Sequence, residues 1–378
     1  MNGALRELES KHVLHAADID AFLRSRKFPI VEGRTVTFVF VGAAEEVRLR
    51  HWISGLPTSQ KFQRFHDSPL WTLSIDIPEG SRVEYKLELV RGGHHQLIQD
   101  PLNENLARDP YGANSVVYGA GYAQPDWAQH DHEARLGEIQ EQSLSSSAFG
   151  DTRSVLVYLP ARFRTSRRYP LLIAHDGPDY LKFASLRTVL DNLIHRLEVQ
   201  PMIVALIQSN NRLIEYADDE RHARFLVDEL LPMMEARYPL VPQPAARCLM
   251  GASFGGVASL AAAWRRPGVF GNLMLQSGSF VFTDIGHHDR GPVFDPVVRF
   301  MSDFRARPGR PADNVYLSCG IYEGLIYYNR SIVPLLQSTG MQVKFTEARD
   351  GHNWENWRDR LREGLSWLAP GQLWMVYE

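Results

Sequence analysis

Six consecutive residues, Gly251-Ala252-Ser253-Phe254-Gly255-Gly256, have the types and spacing that nucleophilic catalysis by a serine needs. A serine with glycine two positions away on each side can occupy a turn too tight for its neighbours to carry side chains, and its hydroxyl then stands clear of the backbone. The flanking sequence suits such a turn. The apolar run ARCLM precedes it as a strand and VASLAAAW follows it as a helix, whose first amides would lie beside Ser253 where an oxyanion forms. A hydroxyl attacks only when a base takes its proton and an acid orients that base. On this kind of turn the acid and then the base follow the nucleophile along the chain. His352, in Arg349-Asp350-Gly351-His352-Asn353-Trp354, follows the last expected strand and precedes the last helix, and is the best base. His287 and His288 read as solvated loop residues, and His175 ends an early strand but precedes Ser253. Glu323, in Cys319-Gly320-Ile321-Tyr322-Glu323-Gly324, lies between nucleophile and base and is the preferred acid. Asp350 is its rival, although only two residues from His352 it would need a tight local turn to reach the ring. A second oxyanion donor is expected after LLIAH, in Asp176-Gly177-Pro178-Asp179. Pro178 has no N–H, so Gly177 or Asp179 would join the backbone of Phe254.

These residues need a rigid frame, and the periodicity supplies one. From residue 154 onward the apolar strands SVLVYLP, PLLIAHDG, MIVALIQ, ARCLMGAS, NLMLQSGS, NVYLSCG and QVKFTEA alternate with amphipathic helices at 186–199, 219–238, 331–338 and 355–368. Near-continuous apolar strands separated by helices imply an α/β domain with a mostly parallel sheet covered on both faces. Residues 35–99 read differently: short runs of period two, bounded by Pro78–Gly80 and Gly92–Gly93, suggest an N-terminal β-sandwich, with one or two short helices over 5–22 before it. A polar linker near 124–136 divides a sandwich domain, 1–135, from a catalytic domain, 136–378.

Composition narrows the partners. Of 378 residues, 41 are Lys or Arg and 44 Asp or Glu, a net charge of −3, so there is no basic footprint for nucleic acid or an anionic membrane. Two cysteines, Cys248 and Cys319, are too few for a disulfide framework or a four-thiolate zinc site and read as packed thiols. His130-x-His132 and His94-His95 lack a second ligand pair, so no metal and no organic cofactor is expected. Residues 1–23 have no apolar core of signal-peptide type, and the uncharged stretches 248–264 and 267–283 are short for a membrane span. A soluble, cytoplasmic protein acting on a small-molecule ester is expected, with the oligomeric state left open.

The stretch GASFGGVASLAAAWRRPGVFGNLMLQSGSF resembles the nucleophile region of the enterochelin (ferric enterobactin) esterase family, within the esterase-D-like α/β-hydrolases, to which feruloyl and acetyl-xylan esterases are related. HDG at 175–177, Asn210-x-Arg212-x-x-Glu215, GHNWENWR at 351–358 and DPLNENL at 100–106 are similar to that family's segments. Two positions depart from it: Tyr216 stands where leucine is usual, and Asp350 where glycine is usual. The resemblance implies an α/β-hydrolase fold behind an early-set-like sandwich and two-step acyl transfer, with Ser253 as nucleophile, His352 as base and Glu323 in the acid position. It also implies a substrate among siderophore-like or other aromatic acyl esters. Arg212, Tyr322, Trp354 and Phe280 are candidates to contact that substrate, and 283–296 could border the cleft. A carbohydrate esterase is the alternative; its sandwich would need exposed aromatics, for which Trp52, Trp71 and Tyr85 are candidates. A non-catalytic binding relative is the third reading.

Overall fold

The strands alternate side chains between two faces, and the larger of two units is organised by that alternation. In the computed structural model, which describes residues 3–11, 13–284 and 287–372, eight strands form one sheet in the order Glu138–Ser146, Asp151–Leu159, Ile203–Ile207, Leu171–His175, Arg247–Ala252, Asn272–Gln276, Asn314–Gly320 and Gln342–Ala348. The first pairings are antiparallel. Those from Ile203–Ile207 through Asn314–Gly320 are parallel. Leu171 and Ile173 point into one apolar core, Leu172 and Ala174 into another. Both faces are therefore buried under helices, which is why these strands read as unbroken apolar runs. This is the α/β-hydrolase architecture.

The helices depart in detail from their periodicity. The helix expected over 219–238 is Glu220–Arg224, a π-helical turn at Phe225–Leu230 and Leu231–Arg237. The closing helix is two, Trp354–Asp359 and Leu361–Leu368. Among the described residues no helix is long and apolar enough to cross a membrane.

The smaller unit holds two antiparallel sheets. One has the order Ile30–Glu32, Thr35–Val41, Leu70–Asp76 and Gln63–Arg64; the other runs Ser59–Lys61, Glu46–His51, Arg82–Arg91, Gly112–Tyr118 and Leu106–Asp109, with His94–Ile98 also on Arg82–Arg91. Phe38, Phe40, Val47, Leu49, Tyr85 and Leu87 fill the core they share. Helices Arg6–Glu9 and Ala16–Arg24 precede it. The contacts divide the chain at Gln124/Pro125, upstream of the 135/136 boundary read from sequence. They also assign two later segments, Gly320–Gly324 and Ala348–Asn353, to this first unit. Of the expected excursion at 283–296, residues 285 and 286 lie outside the described residues.

Candidate active site

In the larger unit Ser253 sits between strand Arg247–Ala252 and helix Phe254–Arg265 at φ 57° and ψ −120°. A non-glycine residue there costs on the order of 1–3 kcal/mol, and it persists only where the surroundings over-determine it. They do. The Ser253 N–H donates to the Gln276 carbonyl at 2.9 Å, and the Ser253 carbonyl accepts from Gly256 and Ser279, each at 3.1 Å. Of the three glycines around the turn, Gly251 and Gly256 are needed to different degrees. A Cβ on Gly251 would lie 2.3 Å from the Gly255 carbonyl oxygen, whereas one on Gly256 would lie 3.2 Å from Gly278 Cα. Phe254 is the first residue of its helix, so its amide is among those a helix leaves without an intrahelical acceptor. The Ser253 hydroxyl lies 3.2 Å from that of Ser279.

The loop after Leu171–His175 turns at Asp176, φ 53°, into helix Gly177–Phe183. Gly177 and Asp179 thus belong to a first helical turn, and a Cβ on Gly177 would lie 2.5 Å from Leu206 Cα. Asp176 is buried, and burial pushes its carboxyl up while Arg212 opposes the shift. Arg212 Nε donates to Asp176 Oδ2 at 2.8 Å, and Nη2 to the Ala252 carbonyl at 3.1 Å. The guanidinium expected to meet substrate also braces the residue just before Ser253. Beneath the turn, His175 Nδ1 lies 3.0 Å from both the Met250 carbonyl and the Ser259 hydroxyl, and its Nε2 lies 2.9 Å from His222 Nε2. Burial lowers the His175 pKa to about 4, so the ring is neutral and structural at neutral pH.

Glu323 and His352 both fall in the smaller unit. His352 Nδ1 lies 2.7 Å from Glu323 Oε2, while Glu323 Oε1 accepts from the Gly320 N–H at 2.8 Å. Glu323 is buried and His352 exposed, so the carboxylate is a fixed acceptor and the imidazole remains accessible. Asp350 is turned elsewhere. It is buried, and its Oδ1 accepts from Arg82 Nη1 at 3.2 Å, from the Gly351 N–H at 2.7 Å and from Asn353 Nδ2 at 2.8 Å. Burial raises its pKa to about 6 against the opposing pull of Arg82.

Two substrate-contact expectations, Phe280 and Trp354, meet burial in the structure, while Tyr322 is half-buried. Phe280 is fully buried in the larger core and is no ligand surface. Trp354 is buried in edge-on contact with Tyr180, at 5.2 Å between rings, and with Trp357, at 4.8 Å. The Tyr322 hydroxyl lies 2.6 Å from that of Ser81, and the Tyr322 carbonyl accepts from the Ser54 N–H at 2.7 Å. Of the sandwich aromatics, Trp52 is exposed but Trp71 and Tyr85 are core. Sequence reasoning missed Arg82 and Ser81. Arg82 alternates with Glu84 and Lys86 opposite Val83 and Tyr85, which looks like a solvated strand face, and no local signal marks it as 1% exposed.

Comparison with known proteins gives the chain a family. A family model described as "Putative esterase" matches residues 146–368. The iron(III) enterobactin esterase of Escherichia coli strain K12 is 26% identical over 77% of this chain and 72% of its own. The crystal structure of the enterobactin esterase from Shigella flexneri in the presence of enterobactin superposes with a TM-score of 0.75 at 20% identity, covering 95% of this chain and 99% of that one. A ferulic acid esterase from Anaeromyces mucronatus superposes with a TM-score of 0.52 at 17% identity, covering 64% of this chain and 94% of that one. With more than half its length matched by the family model, the chain belongs to this esterase family and is a carboxylic ester hydrolase.

Proposed function

We propose that the chain hydrolyses aromatic acyl esters of the siderophore type through a triad of Ser253, His352 and Glu323. The observation that carries the triad is the 2.7 Å contact between His352 Nδ1 and the buried Glu323 carboxylate. An imidazole that donates from Nδ1 keeps Nε2 as a lone pair, the form a general base requires. In this reading Nε2 takes the proton as Ser253 Oγ attacks the ester carbonyl. The backbone amides of Phe254 and of Gly177 or Asp179 hold the oxyanion. His352 then protonates the leaving alcohol, and water, deprotonated in turn by His352, releases the acyl group. Loss of one oxyanion donor would cost on the order of 3 kcal/mol of barrier.

The substrate class is supported by the extent of the likeness. The enterobactin esterase fold matches 95% of the chain, so it takes in the smaller unit as well, whereas the ferulic acid esterase matches 64%. The burial of Trp71 and Tyr85 also removes two of three aromatics that a sugar-holding sandwich would have used. A fluorophosphonate is expected to label Ser253 with one equivalent, and Ser253→Ala to lower turnover of p-nitrophenyl acetate by on the order of 10⁴-fold or more. Hydrolysis that survives in Ser253→Ala would dismiss the triad. A panel of ferric catecholate trilactones, feruloylated sugars and acetylated xylan separates the substrate classes; preference for either sugar ester would replace the siderophore reading.

A further inference from the structure

The loops carrying His352 and Glu323 are stitched to the sandwich by residues that are not part of the chemistry. Arg82, on strand Arg82–Arg91, is 1% exposed. Its Nη1 donates to Asp350 Oδ1 at 3.2 Å and to Asn353 Oδ1 at 2.9 Å, so one nitrogen grips the residues two before and one after His352. Its Nη2 lies 3.2 Å from Glu84 Oε1, and its backbone N–H donates to the Arg349 carbonyl at 3.0 Å. Asp350 accepts in turn from the Gly351 N–H and from Asn353 Nδ2, which closes the turn around the histidine. The Glu323 loop is tied to the same strand start. Ser81 meets the hydroxyl of Tyr322, and the Tyr322 N–H donates to the Asp350 carbonyl at 3.2 Å. The fit leaves no slack, since a Cβ on Gly320 would lie 2.2 Å from that same carbonyl oxygen.

We propose that Arg82 is a positioning residue for ester hydrolysis: acting through Asp350 and Asn353, it fixes the loop that presents His352 to its acid and its substrate. The inference rests on the triad reading and deepens it. A guanidinium suits the task because one arm of its planar fork holds Asp350 and Asn353 while the other is fixed on Glu84, which a lysine ammonium does not reproduce. A displacement of about 1 Å at a catalytic group costs on the order of 100-fold in rate.

The test is a double-mutant cycle in the full chain with Arg82→Gln, Asp350→Asn and the pair, together with Arg82→Lys. The number of active sites is counted by fluorophosphonate labelling, so that kcat is expressed per reactive serine. Arg82→Gln is expected to label to full stoichiometry but more slowly, with kcat per site lowered by on the order of 100-fold and KM within about twofold. Arg82→Lys should recover part of the loss. The double variant should be no slower than the worse single one, because both changes break one link. A merely structural role would give fewer reactive sites with normal kcat per site, and that result overturns the proposal. So would losses that multiply across the cycle, or a kcat within twofold of wild type. Failure of the triad reading is read separately, from activity surviving in Ser253→Ala or His352→Ala.

Discussion

Glu323 and Asp350 are two buried carboxyls on neighbouring loops, and what each accepts separates their roles. Glu323 faces the imidazole and one amide, whereas Asp350 faces a guanidinium, an amide and a side-chain amide. Glu323→Gln should therefore leave the fold intact and lower kcat by on the order of 10⁴-fold, because a carboxamide no longer holds the productive tautomer. Near-normal turnover by this variant would remove Glu323 from the chemistry. Asp350 makes a different prediction. Burial lifts its pKa from 3.8 in the unfolded chain to about 6 in the fold. The folded state thus binds the extra proton between those values, so the stability this group contributes is full below pH 4 and is lost as pH rises through 6. Asp350→Asn, which cannot ionise, should therefore gain melting temperature relative to wild type progressively as pH rises from about 4 to about 6.5. A constant difference across that window would show that burial does not control the group. Ser253, His352 and Glu323 could be singled out in the sequence because each lies within a few residues of a strand end whose apolar run is itself legible. Arg82 is not, because its partner lies 268 residues along the chain and nothing beside it marks the strand position as inward-facing.

At the level of elements, the strand-to-helix turn at Ser253 is set by how close its backbone segments approach. Gly251→Ala would drive a methyl to 2.3 Å from a carbonyl oxygen and should destabilise by about 3 kcal/mol or more, or prevent folding. Gly256→Ala meets its nearest atom at 3.2 Å and should cost distinctly less. Melting temperatures of the two variants check the order, and a reversed order would mean that the turn relaxes. The glycines could be read from sequence because a turn motif fixes the geometry around them. The aromatic residues could not. Phe280 and Trp354 follow strand ends as expected, but position along a strand does not say whether a ring turns outward or into a core, and both turn inward. The contacts of Arg212 were illegible for a related reason. Its segment is a short helix, Arg212–Glu215, and only the structure reveals that its side chain bends back to the Ala252 carbonyl.

Across the whole molecule, compact units and chain segments do not coincide. The family model begins at residue 146, yet Glu323 and His352 belong by their contacts with the sandwich that lies before it in sequence. A chain beginning at Pro125 lacks Ser54, Ser81 and Arg82 together. It should lose ester hydrolysis by at least about 100-fold, measured as kcat per fluorophosphonate-reactive serine. Full activity in that truncated chain would show that the sandwich is dispensable. The same interleaving bears on biosynthesis. At roughly 5–20 residues per second, the 268 residues between Arg82 and Asp350 separate their emergence from the ribosome by tens of seconds. For that interval the nascent sandwich holds a cation whose carboxylate has not been made. Its final closure therefore waits until the loop that carries Asp350 has emerged.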